Sequence, residues 1–444
     1  MTFRKLLFGL CILALLSPIL GMAQEKSRRK PNIVIIVADD LGYADLGCQG
    51  CKDIATPHID SIAKNGIRFT NGYVTAPICS PTRAGLLTGR YQARFGHEGN
   101  PQPGQGLSLN EVTIANVLKT LGYVTGLIGK WHLGAEPQFH PQKRGFDEFF
   151  GFLDGGHPQL PGGKKKPAGP ILRGTDEVDE KTYLTYAITR ESVSFIDKHK
   201  KEPFFLLVAY NAVHTPLQAP PELGKMPKSP ENVRKIYAAM LKSVDKGVGD
   251  ILAKMREAGL EEDTLIVFLS DNGGPTAETS SSNLPLRGFK EDLWEGGVRI
   301  PFLMQWKGRI PAGKVYDPPV VSLDLMPTAI AAAGGNTDEK CKLDGVDLLP
   351  YLTGKNQAKP HEFLFWRRGS QWAVRKDDWK LTFVSETKTP HLANLATDIG
   401  QQKDVATDNP VVVRELQTAF ERWNVELPRA KKKKEKDGMK GGTP

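Results

Sequence analysis

Apolar residues in this chain follow two periodicities that alternate along its length. Residues 32–38 (Asn-Ile-Val-Ile-Ile-Val-Ala), 124–128, 204–210 and 264–270 are short, nearly unbroken apolar runs rich in β-branched and aromatic side chains. Such runs predict strands covered on both faces, because a strand with one wet face alternates apolar and polar residues. Between them lie segments with helical spacing. Thr56-Pro57 opens a helix that runs to about Asn65-Gly66, Asn110 caps one over 111–121, and others cover 182–198, 230–259 and 322–333. A further strand is read at 298–306, and 133–180 reads as a long irregular stretch of the kind that often carries function. Buried strands alternating with helices predict an α/β fold built on a large, mostly parallel, doubly wound sheet flanked by helices. Beyond Gly334 the pattern changes. Short strands at 362–367, 372–376 and 379–384, with a turn at Asp377-Asp378 and a helix over 411–423, predict a small C-terminal antiparallel sheet with a helix.

At 444 residues the chain exceeds one ordinary core. The pattern predicts a signal peptide (1–23), a large α/β domain (24–345), a small α+β subdomain (346–428) and a basic tail (429–444). Arg4 and Lys5 precede an apolar run over 6–20, and Gly21-Met22-Ala23 offers small residues before Gln24. This predicts secretory cleavage after Ala23 and export to the periplasm or the outside of the cell, with no membrane anchor. The formal charge of +9 is not spread over the fold: the tail carries +5 and the signal +2, leaving +2 elsewhere. A nucleic-acid partner is excluded on that ground, since its charge would lie on a folded face. The Gly/Lys-rich tail reads as disordered. After cleavage the cysteines are Cys48, Cys51, Cys79 and Cys341; Cys48 and Cys51 are free to pair, and no zinc ligand set surrounds them.

The four apolar strands share a feature beyond their composition. Asp39-Asp40, Lys130 with His132, His214, and Asp271-Asn272 follow directly on the four runs. In open α/β sheets the site lies beyond the carboxyl ends of the strands, so these residues are expected at one edge. Asp39, Asp40, Asp271 and Asn272 form an oxygen-only set suited to a hard cation such as Ca²⁺ or Mg²⁺. In Cys79-Ser-Pro-Thr-Arg83, Pro81 suits an early helical position, which puts Cys79 at a helix N-terminus. Free N–H groups and the dipole there favour an anion, either a thiolate or a bound anionic ester. Arg83 lies on the same helix face. Arg83, Lys130 and Lys290 with a divalent cation outweigh the three carboxylates, so the pocket suits a sulfate or phosphate ester. His157, in the long loop, is a candidate pocket residue, and Trp366 and Arg367 are candidates for the rim. His58, His97 and His140 read as structural, and Lys164, Lys165 and Lys166 as a solvated loop.

Cys79-x-Pro81-x-Arg83 followed by Thr88-Gly89 resembles the signature of the type I, formylglycine-dependent sulfatases, of the arylsulfatase and N-acetylgalactosamine-6-sulfatase kind, in the alkaline phosphatase superfamily. The resemblance extends over most of residues 30–310. It takes in Asp39-Asp40, Gly129-Lys130-Trp131-His132, His214-Thr215-Pro216, Asp271-Asn272-Gly273, and Arg287-Gly288-Phe289-Lys290 before Glu295-Gly296-Gly297. It implies an alkaline phosphatase-like fold and a maturation enzyme that oxidises Cys79 to formylglycine. It further implies one Ca²⁺ held by Asp39, Asp40, Asp271, Asn272 and the modified Cys79, and a sulfate held by Arg83, Lys130, His214 and Lys290. The catalytic set is then Cys79, Arg83, Lys130, His132, His214, Asp271 and Lys290. Asp271 takes the proton of the attacking hydroxyl, His214 or Lys290 gives one to the departing alcohol, and His132 assists sulfate release. The implied substrate is a sulfate monoester, on a sulfated carbohydrate. A phosphate or phosphonate monoester hydrolase of the same superfamily is the alternative. A non-catalytic polyanion-binding protein, a third reading, has no need of Asp271 or His132.

Overall fold

A computed structural model describes residues 29–162, 169–224, 226–227, 229–336 and 342–428. The signal peptide, Lys164 to Lys166, Cys341 and the basic tail named above lie outside these residues. In chain order the strands are β1 (Asn32–Ala38), β2 (Ile67–Phe69), β3 (Gly72–Tyr73), β4 (Val124–Lys130), β5 (Glu148–Phe152) and β6 (Ile171–Arg173). They continue as β7 (Asp176–Val178), β8 (Phe204–Ala209), β9 (Thr264–Ser270), β10 (Phe302–Gln305), β11 (Lys314–Tyr316) and β12 (Val320–Val321). The C-terminal part adds β13 (Leu364–Arg368), β14 (Gln371–Lys376), β15 (Trp379–Phe383) and β16 (His391–Asn394).

Ten of these strands form one sheet in the order β11-β2-β10-β9-β1-β8-β4-β5-β6-β7. Its centre, β9-β1-β8-β4-β5, is parallel throughout, and β10 runs antiparallel against β9. β1 has a neighbour on each side, and all its residues are buried. Ile33, Ile35 and Val37 face a core shared with the helices Cys79–Thr88, Ile114–Thr120 and Leu325–Ala332. Val34, Ile36 and Ala38 face the opposite core, which includes Pro57–Lys64, Leu184–His199 and Pro230–Glu257. Each large apolar side chain so covered contributes about 1.5–3 kcal/mol. The predicted α/β architecture, with helices on both faces, is the one observed.

Three local expectations are corrected. The helix expected over 111–121 starts at Ile114, because Thr113 rather than Asn110 caps it. Thr113 Oγ1 accepts from Asn116 N and Asn116 Oδ1 accepts from Thr113 N, both at 3.1 Å, a reciprocal capping box. The stretch over 133–180 is not wholly irregular, since it supplies β5, β6 and β7 at one end of the sheet. The strand expected over 298–306 is a short helix, Glu295–Val298, followed by β10. Pro301, with no N–H to give a ladder, stands just ahead of that strand.

The small C-terminal sheet is an antiparallel meander, β13-β14-β15-β16, turning at Asp377 (φ 51°) between β14 and β15. The helix Pro410–Val425 covers it, with Trp372 stacked on Phe420 at 4.5 Å between ring centroids. Trp366 and Arg367 fasten this sheet to the segments on either side of the helix Cys79–Thr88 instead of reaching the rim. Trp366, 1% exposed, donates its indole N–H to Val74 O at 2.7 Å, and Arg367 pairs with Glu98 at 2.7 Å. Among the described residues no helix is long and apolar enough to cross a membrane. Cys48 and Cys51 are free thiols.

Candidate active site

The strand ends deliver what the pattern predicted. Asp39 and Asp40 follow β1, Lys130 closes β4, Asp271 and Asn272 follow β9, and His214 stands five residues past the end of β8. Asp40 (φ 64°) and His132 (φ 61°) take the left-handed backbone conformation, which costs a side-chain-bearing residue about 1–3 kcal/mol and tends to persist at functional turns. Gly155 and Gly156 make room beside the histidines. A Cβ on Gly155 would lie 2.7 Å from His132 Nε2, and one on Gly156 would lie 3.2 Å from the His214 ring.

Charges in the pocket are paired one oxygen at a time. Asp39 Oδ2 accepts from Lys130 Nζ at 2.5 Å, and Asp40 Oδ2 accepts from Lys290 Nζ at 2.8 Å. Asp271 Oδ2 accepts from Arg83 Nε at 3.0 Å and Nη2 at 2.7 Å, while Arg83 Nη1 donates to Lys130 O at 3.1 Å. Asp40 N donates to Asp271 Oδ1 at 3.2 Å, and Asn272 Nδ2 donates to Asp40 Oδ1 at 2.7 Å. His214 Nδ1 donates to Thr215 O at 2.6 Å, which leaves Nε2 facing Asp40 Oδ2 at 3.7 Å. These contacts join Arg83, Lys130, His214, Asp271, Asn272 and Lys290 to the aspartates after β1.

Cys79 is the first residue of the helix Cys79–Thr88 and is 2% exposed. Burial, added to by Asp39 and Asp271 against Lys130 and Lys290, pushes its thiol up to about 12. A plain thiolate is therefore disfavoured here. Burial raises the Asp39 carboxyl, but Lys130, with His214 and Arg83, holds it below the usual range. Burial also works against the Lys290 ammonium, yet the Asp40 and Asp39 carboxylates hold its proton more tightly than usual. His132 is driven well below an ordinary histidine by burial and then by Lys130, Arg83 and His214, so it is neutral.

The site suits a cation on its own chemistry. Asp39, Asp40, Cys79 and His214 each present a ligand atom within 4.8 Å of the others. Asp39 Oδ1 and Asn272 Oδ1 are buried with no hydrogen-bond partner in the protein. Buried acceptors without donors are rare, and two oxygens in a pocket of carboxylates fit a hard cation.

Two neighbours of the site make contacts that the sequence did not show. His97, read as structural, bonds Ser80 Oγ through Nε2 at 2.7 Å, directly beside Cys79. Glu295, named above only as part of the resemblance, is fully buried. His157 is partly buried, with its backbone held by Asn211 and its Nδ1 2.8 Å from Pro158 O.

Known proteins are similar to this chain in sequence and fold. Residues 31–335 match the family model described as Sulfatase. Arylsulfatase G of Rattus norvegicus is 34% identical, over 86% of this chain and 81% of its own length. The N-acetylgalactosamine-6-sulfatase of Canis lupus familiaris is 33% identical, over 83% and 74% respectively. Among solved structures, Ps i-CgsB superimposes with a TM-score of 0.85 at 39% identity, covering 90% of this chain and 94% of that one. The family match spans well over half of the sequence, including every strand end that feeds the pocket; this chain belongs to the sulfatase family and is a hydrolase of sulfuric esters.

Proposed function

We propose that this protein is an exported sulfatase that releases sulfate from a sulfated carbohydrate, using formylglycine at position 79 and one Ca²⁺. The observation that carries this function is the surroundings of Cys79. It stands at a helix N-terminus among Asp39, Asp40 and His214, in a pocket whose cations are Arg83, Lys130 and Lys290.

Each group has a task that its contacts support. Oxidation of Cys79 by a formylglycine-generating enzyme would supply a hydrated aldehyde, a nucleophile that can later expel sulfate. Asp39, Asp40, Asp271, Asn272 and the modified Cys79 would hold Ca²⁺, which when bound supplies charge stabilisation to the transferring group. Arg83 is oriented by Asp271 and Lys130 O, so its guanidinium is fixed before substrate arrives. Asp271 is the acceptor for the nucleophile's proton. Lys130 and Lys290 add positive charge at the sulfate, and His214 Nε2 or Lys290 gives a proton to the departing oxygen. His132, neutral in its buried place, accepts a proton as sulfate is released. The carbohydrate is supported by a solved complex of Ps i-CgsB with k-i-k-neocarrahexaose, which matches this chain with a TM-score of 0.84 at 39% identity.

Parallel assays on an aryl sulfate and the matching aryl phosphate test the reaction. The sulfate is expected to win by at least about a hundredfold in kcat/KM, or ~2.7 kcal/mol. Faster turnover of the phosphate would replace the sulfatase with the phosphate monoester hydrolase. A panel of defined sulfated saccharides, neocarra-oligosaccharides among them, then identifies the sugar. Removing residues 429–444 is expected to leave aryl sulfate turnover within about twofold, since a solvated tail adds little to a folded core. A fall in melting temperature on truncation would show the tail to be part of the fold.

A further inference from the structure

Glu295 is the centre of a dry ion-pair cluster between the two sheets. It and Lys380 of β15 are both 0% exposed, and Glu295 Oε1 accepts from Lys380 Nζ at 2.8 Å. Its Oε2 accepts from the Tyr73 hydroxyl at 2.6 Å and from Arg299 Nη1 at 3.2 Å. Arg375 of β14 donates to that same hydroxyl and, at 2.7 Å, to Asn71 Oδ1. A buried ion pair of this kind is weak evidence for stability, because apolar residues of equal volume often stabilise as well or better. Its geometry suggests what it does instead.

The turn that Glu295 begins has no slack. Gly296 N donates to Arg287 O at 2.7 Å, and Gly273 N donates to Gly297 O at 3.0 Å. A Cβ on Gly273 would lie 1.7 Å from Gly296 O, one on Gly296 2.2 Å from Gly288 O, and one on Gly297 2.0 Å from Asp292 O. Backbone therefore rests on backbone from the residue after Asn272 to the loop 287–292, which carries Lys290. The C-terminal sheet also grips that loop directly: Arg368 of β13 donates to Glu291 O and, at 2.7 Å, to Glu291 Oε2.

We propose that Glu295 is a positioning residue, clamped from the C-terminal sheet by Lys380 directly and by Arg375 through the Tyr73 hydroxyl, which sets the place of Lys290 in the pocket. This rests on Lys290 acting on the sulfate ester as described above. The C-terminal sheet then contributes to turnover without touching the substrate.

The test uses the full-length protein bearing Lys380→Met or Glu295→Gln, the second keeping the side chain's shape should the first fail to fold. Each is expected to lose about 10- to 100-fold in kcat on 4-nitrophenyl sulfate, as a displaced catalytic group does, and more on phenyl sulfate, whose leaving oxygen needs more help. In a Lys290→Ala background the same substitutions are expected to cost less than about twofold, because their effect passes through Lys290. Hydrogen exchange in the peptide 286–294 is expected to speed up while β1 and β9 stay protected. Lys376→Met, on the same small sheet but paired outward with Glu415, serves as the control. Equal losses with and without Lys290, or wild-type turnover with wild-type exchange, would overturn the proposal. Should the unaltered protein hydrolyse neither an aryl sulfate nor any sulfated saccharide of the panel, the proposed role of Lys290 fails, and the exchange measurement still decides whether Glu295 holds the loop.

Discussion

Cys79→Ala is expected to lose about 10⁴-fold or more in turnover of an aryl sulfate while folding normally. Cys79 is the first residue of a buried helix, and its side chain is small, so alanine removes the nucleophile with little loss of packing. Nothing nearby can replace it. Ser80 is committed to His97, the carboxylates around Cys79 are each paired with a lysine or arginine, and His214 is held through Nδ1 by Thr215 O. Cys79→Ser sharpens the test. A serine hydroxyl can accept the sulfuryl group from the ester as the alcohol leaves with a proton, but it has no second hydroxyl to expel sulfate. It is expected to transfer once and stall, with the sulfated peptide visible by mass spectrometry. In the unaltered protein, made with a maturation enzyme, the same peptide should carry the aldehyde. A fully active preparation with an unmodified thiol would remove formylglycine from the mechanism.

The second large effect concerns the cation. Chelation is expected to abolish turnover and lower the melting temperature, and Ca²⁺ to restore both. Asp39, Asp40 and Asp271 crowd one pocket, and Asp39 Oδ1 and Asn272 Oδ1 have no partner in the protein. Each such oxygen costs about 1–3 kcal/mol when left unsatisfied. A cation at a hundred times its dissociation constant stabilises the native state by about 2.7 kcal/mol. For a chain of this size that is a shift of a few degrees. Asp40→Ala is expected to lose both activity and most of the Ca²⁺-dependent shift. Lys290→Ala should lose turnover and keep the shift, since its ammonium meets Asp40 Oδ2 and leaves the orphaned oxygens untouched. If chelation, verified by metal analysis, changes neither rate nor stability, the four-oxygen site is misread.

What was legible in the sequence follows from how each part is stabilised. β1, β4, β8 and β9 are buried on both faces, so their apolar runs are nearly continuous, and the residues after them had to gather at one edge of a parallel sheet. That placed Asp39, Asp40, Lys130, His132, Asp271 and Asn272 without any knowledge of contacts. Short strands away from the centre gave no such signal. β6 and β7 are three residues each, and β16 has four, too few to show a period. The helix start at Thr113 turned on a reciprocal pair of hydrogen bonds that competed with an equally plausible Asn110. Glu295 was illegible for another reason. Its partners Tyr73 and Lys380 come from distant stretches, and a buried glutamate is spelled like a solvated one.

The position of β1 in the middle of the sheet has a consequence in time. Its register runs against Phe205 to Ala209 on one side and Thr264 to Ser270 on the other, so neither neighbour exists until much of the chain has been made. At about 5–20 residues per second, the interval between the synthesis of β1 and that of β9 is on the order of 10–50 seconds. From its own synthesis until that of β9, the Cys79 segment belongs to a chain that cannot close its central sheet, and in the folded protein Cys79 is 2% exposed. Any enzyme that must reach that thiol works against a clock set by strand order.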